Sequence, residues 1–107
     1  MKPVSFHPSA LEFIRMQSTQ IRHELGEAIR DLQDGMSLGM PLSRPMPSVA
    51  SGVHELRVKD AAVAVRVFYV TKTAHTIVVF HAFEKRTDKT PEREIKLAQQ
   101  RLREMVP

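Results

Sequence analysis

Cysteine and tryptophan are both absent from this chain of 107 residues, and tyrosine occurs once. The first absence rules out a disulfide framework, a thiolate zinc site and a cysteine nucleophile, so whatever core forms must hold by packing alone. Long apolar runs are missing as well. The first ten residues include Lys2, Pro3, His7 and Pro8, and neither a secretory leader nor a membrane span is readable there. The expectation is a cytoplasmic protein with no membrane partner. Glycine is scarce, and no glycine-rich phosphate loop is present; Ser51-Gly52 is too little for a nucleophile elbow. The histidines, His7, His23, His54, His75 and His81, show no i, i+4 spacing and no paired acidic ligand. No metal site is expected from them, and no small-molecule cofactor.

What the chain does have is positive charge, unevenly placed. Its formal charge is +4, yet residues 1–52 carry five basic and five acidic side chains while residues 53–107 carry eleven and seven. The whole excess lies in the second half, where an anionic partner is expected to dock. The length suits one compact domain over residues 1–107.

Periodicity gives the element order. Val4-Ser5-Phe6 reads as a short edge strand. Ser9 and Glu12 have the spacing of a capping box, with Pro8 just outside it, so a first helix is expected to start there. Gln17-Ser18-Thr19 interrupts the pattern. Ile21, Leu25, Ala28, Ile29 and Leu32 then recur on one helical face as far as Asp34-Gly35, which predicts a second helix. Residues 36–52 contain Pro41, Pro45 and Pro47 and read as a loop, pinned to the body by Leu38, Met40 and Leu42. Segments 53–59, 63–71 and 76–83 are rich in β-branched residues and predict an antiparallel three-stranded meander, with turns at 60–62 and 72–75. Thr90 as N-cap and Pro91 at the first helical position predict a closing helix lined by Ile95, Ala98, Leu102 and Met105. The fold class is α+β in the order βααβββα, with the two N-terminal helices on one face.

Alternation along the first meander strand puts Glu55, Arg57 and Lys59 on one face and His54, Leu56 and Val58 on the other, which faces the helices. Arg66 sits amid Val63, Ala64, Val65, Val67 and Phe68, where an unpaired guanidinium is costly and requires an anion. If Lys59 pairs with Ala64, Arg57 faces Arg66, and a bound phosphate relieves their repulsion; a shift of one residue separates them. Lys85, Arg86 and Lys89 follow the third strand just before a helix and read as a candidate phosphate cradle. Cleavage of RNA through its own ribose 2′-hydroxyl needs a base, an acid and cations for the developing charge, and no metal. Arg57, Arg66, Lys85 and Arg86 are candidates for the cations, and Glu55, His81 or a lysine of lowered pKa for the base. Tyr69 is a candidate for stacking on a nucleobase. Plainer readings stand beside these: Arg66 paired with Glu55 or Glu84, residues 85–89 as a solvated turn, and Tyr69 and His81 as sheet residues.

Several ordered blocks carry a resemblance across nearly the whole chain. They are Leu32-Gln33-Asp34-Gly35, Leu38-Gly39-Met40-Pro41-Leu42-Ser43, Gly52-Val53-His54-Glu55-Leu56-Arg57, Arg66-Val67-Phe68-Tyr69, the run from His81 to Pro91, Glu94, Leu97-Ala98 and Arg101-Leu102. Together they resemble the phage-derived HigB-like branch of the RelE/ParE toxin superfamily. The resemblance implies a metal-independent, ribosome-dependent endoribonuclease acting on messenger RNA, neutralised by a helix-turn-helix, HigA-like antitoxin. It places the family's strand motif on Glu55, Leu56 and Arg57, its strand arginine on Arg66 and its basic turn on Phe83, Lys85 and Arg86. Lys59, Lys89, Tyr69 and His81 are expected to help hold RNA. The chain departs from the family at 61–65, where relatives have a glycine and then Tyr or Trp, and at Arg86, where they have lysine. The ParE branch shares the fold and binds gyrase without cleaving RNA, and a decayed phage protein retaining only RNA or antitoxin binding is a third alternative.

Overall fold

The computed structural model describes residues 1–72 and 75–106. In chain order these form β1 (Val4–Phe6), α1 (Pro8–Arg15), α2 (Thr19–Gln33), β2 (Ser43–Pro45), β3 (Val53–Lys59), β4 (Ala64–Lys72), β5 (Thr76–Glu84) and α3 (Glu92–Met105). The strands make one mixed sheet ordered β1-β5-β4-β3-β2, with β1 parallel to β5 and every other pair antiparallel. The α+β class and the β3–β4–β5 meander follow the expectation. The order does not: β2 lies inside the stretch read as loop, and the sequence βααβββα becomes βααββββα. Its three residues end in proline, which is tolerated because β2 is an edge strand with one neighbour.

Two helix starts also differ. Pro8 is the first residue of α1, and His7 is its cap, with Nδ1 accepting from Ser9 N at 3.2 Å; no capping box from Ser9 forms. Pro91, not Thr90, is the residue preceding α3, it makes no side-chain cap, and Thr90 Oγ1 is buried without a hydrogen-bond partner. The second helix forms where its period places it. Ser18 Oγ caps α2 by accepting from Ile21 N at 3.2 Å, and Gly35 at φ +90° follows the helix end, a conformation that favours glycine.

The β3–β4 turn forms without glycine because Asp60 Oδ1 accepts from both Ala62 N and Val63 N at 2.8 Å. That turn fixes Lys59 opposite Ala64 and therefore Arg57 opposite Arg66. Of the turn expected at 72–75, Thr73 and Ala74 lie outside the described residues.

Helices cover both faces of the sheet. On one, α1 and α2 pack Ala10, Ile14, Ile21, Leu25 and Leu32 over Leu56, Val58, Val65, Val67, Tyr69 and Val79, with Leu38 and Leu42 at the margin; Met40 is 61% exposed. On the other, Ala98, Ile95 and Leu102 of α3, with Met46 and Val49, cover Val53, Phe68, Phe80 and Phe83. Phe68 pairs with His81 and Tyr69 with Val79, so Phe80 is an extra residue in β5. This bulge turns Phe80 and His81 together toward α3. Burying Phe68 and Phe80 contributes about 1.5–3 kcal/mol each. Among the described residues no helix is long and apolar enough to cross a membrane.

Candidate functional site

On the α3 face of the sheet, beside the area that α3 covers, three arginines from three adjacent strands meet at one carboxylate. Glu55 of β3 has no exposed surface. Its Oε1 lies 3.0 Å from Arg44 Nε of β2, 3.8 Å from Arg57 Nε of β3 and 3.7 Å from Arg66 Nε of β4. The ladder dictates this. Arg44 stands directly opposite Glu55, Arg57 is two residues along on the same face, and Arg66 stands opposite Arg57 and diagonal to Glu55. Lys85 joins them from the end of β5, where its backbone N–H donates to Ala64 O at 2.9 Å.

Four cations thus face one carboxylate, and the balance of charge is positive. Arg66 is nearly buried, and its pKa is lowered first by loss of water and then by Arg57 and Arg44, with Glu55 opposing. Its Nε and Glu55 Oε2 are both buried without a hydrogen-bond partner. Lys85 is held below the usual lysine range, first by burial and then by Arg66 beside it. An anion entering here gains charge-assisted hydrogen bonds and relieves repulsion among its hosts.

The remaining candidates lie elsewhere. Arg86 is exposed and donates from Nη2 to Glu84 Oε2 at 3.1 Å, which raises its pKa. Lys89 is exposed in the turn before α3, and Lys59 is exposed at the end of β3. Tyr69 is buried on the opposite face, under α1 and α2, its hydroxyl 2.8 Å from Ser43 Oγ and its ring stacked on His54. No base can reach it there. His81 is buried beneath α3 between Glu94 Oε1 at 2.8 Å and Arg101 Nη1 at 2.7 Å. Since arginine only donates, Nδ1 accepts, Nε2 carries the hydrogen toward Glu94, and the ring is neutral.

A family model described as phage-derived protein Gp49-like matches residues 12–103. The chain belongs to that family. The match runs from within α1 to within α3 and contains every residue of the cationic cluster. Gp49-like proteins belong to the RelE/HigB-like toxin superfamily, in line with the resemblance read from the sequence blocks. No curated protein matches the chain.

Within this Gp49-like chain the residue that sequence reasoning missed is Arg44. It sits between Ser43 and Pro45 in a stretch punctuated by proline, and no local pattern separates it from a loop arginine. Its role follows only from the pairing of β2 with β3. Glu55 was a candidate base, but its inaccessible carboxylate, shared by three guanidinium groups, is placed to anchor them.

Proposed function

We propose that this Gp49-like protein is the toxin of a type II toxin–antitoxin pair, an endoribonuclease that cleaves messenger RNA on the ribosome and is neutralised by a helix-turn-helix antitoxin. The observation that supports it is the meeting of Arg44, Arg57, Arg66 and Lys85 around Glu55 in excess of its charge. A phosphodiester in this pocket supplies the missing negative charge. In the reaction the ribose 2′-hydroxyl attacks the adjacent phosphorus, the bond to the 5′-oxygen breaks, and a 2′,3′-cyclic phosphate and a 5′-hydroxyl end result. Arg57 and Arg66 hold the charge that develops on the phosphate oxygens, a task that needs fixed donors and no metal. Lys85, with its lowered proton affinity, takes the 2′-hydroxyl proton as a free amine, and water protonates the departing 5′-oxygen. Glu55 is a positioning residue that fixes the guanidinium fan.

Induced expression of the wild type and of Arg66→Ala in bacteria, with new messenger RNA ends mapped, tests the reading. Growth arrest and in-frame cleavage with the wild type, both absent with R66A, are expected. Equal arrest by both proteins removes Arg66 from the chemistry and the phosphate pocket with it.

A further inference from the structure

Next to the cation cluster lies a groove of about 360 Å³, lined by Pro41, Leu42, Arg57, Val58, Lys59 and Arg66. Its composition is divided. Pro41, Leu42 and Val58 give it an apolar wall, while Arg57, Lys59 and Arg66 give it a cationic rim. The size falls at the lower end of small-molecule sites, of the order of 300–1,000 Å³. The wall is held in place by the backbone: Arg57 N donates to Leu42 O at 2.8 Å, extending the β2–β3 ladder, and Ser43 N donates to Gly39 O at 3.0 Å, closing a turn around Met40–Leu42. The site exists before any ligand arrives.

Arg57 joins the groove to the cluster and is only partly committed to either. Its Nε pairs with Glu55 at 3.8 Å, and among the described residues Nη1 meets the thioether of Met40, a weak acceptor, at 3.8 Å. A planar guanidinium, partly exposed beside an apolar wall, suits a flat, heteroatom-edged ring, which stacks on the guanidinium and lies against Pro41 and Leu42.

We propose that this groove is a nucleobase subsite: it takes the base of the RNA nucleotide whose phosphate occupies the cation cluster. The inference rests on the phosphate-binding reading and deepens it, because Arg57 and Arg66 line both places. A nucleotide joins ring and phosphate through one ribose, which matches two subsites that share Arg57 and Arg66. The apolar wall has no use for inorganic phosphate alone, so the base is what distinguishes this occupant. Stacking is tolerant of base identity, and the groove contributes affinity and register ahead of sequence choice.

Titration of the full chain, followed by amide chemical shifts, with inorganic phosphate, ribose 5-phosphate and adenosine 3′-monophosphate tests it. The nucleotide is expected to bind about tenfold tighter than ribose 5-phosphate, in keeping with the stacking of one base. Only the nucleotide is expected to shift the amides of Met40, Leu42, Val58 and Lys59. Arg57→Lys keeps a cation and loses the plane, so the ratio of nucleotide to ribose phosphate affinity falls toward one. Equal affinities for nucleotide and ribose phosphate in the wild type overturn the subsite and leave the phosphate pocket standing. Shifts confined to other surfaces, or a tenfold ratio kept by R57K, overturn its location. No saturable binding of any of the three overturns the subsite and the phosphate pocket together.

Discussion

Arg57 and Arg66 stand directly opposite one another across the β3–β4 ladder, with Glu55 Oε1 3.8 Å from one Nε and 3.7 Å from the other. Opposed like charges on neighbouring strands repel, and one carboxylate that also serves Arg44 does not neutralise both. The arrangement works against stability and in favour of an anion.

Removing the anchor should therefore loosen the whole fan. Glu55→Gln leaves the nearly buried Arg66 without its counter-charge, a change that costs about 3 kcal/mol and lowers the melting temperature by more than about 10 °C. Added phosphate should recover part of that loss in E55Q and stabilise it more than it stabilises the wild type. Thermal melts with and without phosphate measure both effects.

Arg44 predicts the reverse pattern. Its side chain is 38% exposed, so Arg44→Ala should lower stability by under about 1 kcal/mol. Cleavage should fall by about 10²-fold, as when one positioned donor to a developing charge is lost. Arg86→Ala serves as the control: Arg86 is exposed and paired with Glu84, and messenger RNA cleavage by R86A should stay close to wild type.

Lys85 should leave its mark on the pH dependence of cleavage. Burial and the neighbouring arginines lower its pKa, so the free amine is available at lower pH than for an ordinary lysine, and the rate should rise with pH through that titration. Lys85→Arg keeps the charge and should lose this rise, along with most of the rate. Single-turnover rates across the pH range decide whether Lys85 carries a proton.

A second pH effect concerns stability, not chemistry. His81 is held below its usual value of 6.5, chiefly by burial, with Arg101 and His7 adding to that and Glu94 opposing it. Between the unfolded value and the lower folded one the unfolded chain binds more protons, so this contribution is present above about pH 6.5 and is lost as the pH falls below it. Urea midpoints at about pH 7.5 and pH 5.5 should differ in that direction. His81→Gln should flatten the difference.

Much of this protein was legible in its amino acids because the signals are local. The period of Ile21, Leu25, Ala28, Ile29 and Leu32 determined α2, the β-branched runs determined β3, β4 and β5, and the missing cysteines left packing as the source of stability. The excess of cations in the second half includes Arg57, Arg66 and Lys85 of the cluster. Asp60 bridges what local pattern and register each supply: its side chain builds the turn that sets Arg57 against Arg66, although no Asn-Gly or Asp-Gly pair announces it.

Tertiary structure alone decided which cations act together. Arg44 enters the cluster because a three-residue edge strand pairs with β3, a contact between residues eleven positions apart. His81 is withdrawn because α3 covers it and holds its ring between Glu94 and Arg101, and Tyr69 is withdrawn because its side of β4 is the one that α1 and α2 cover. Composition and spacing determine which side chains are available and which elements carry them. Their convergence depends on register and on the choice of covered face, and those are set by pairing between segments distant in sequence.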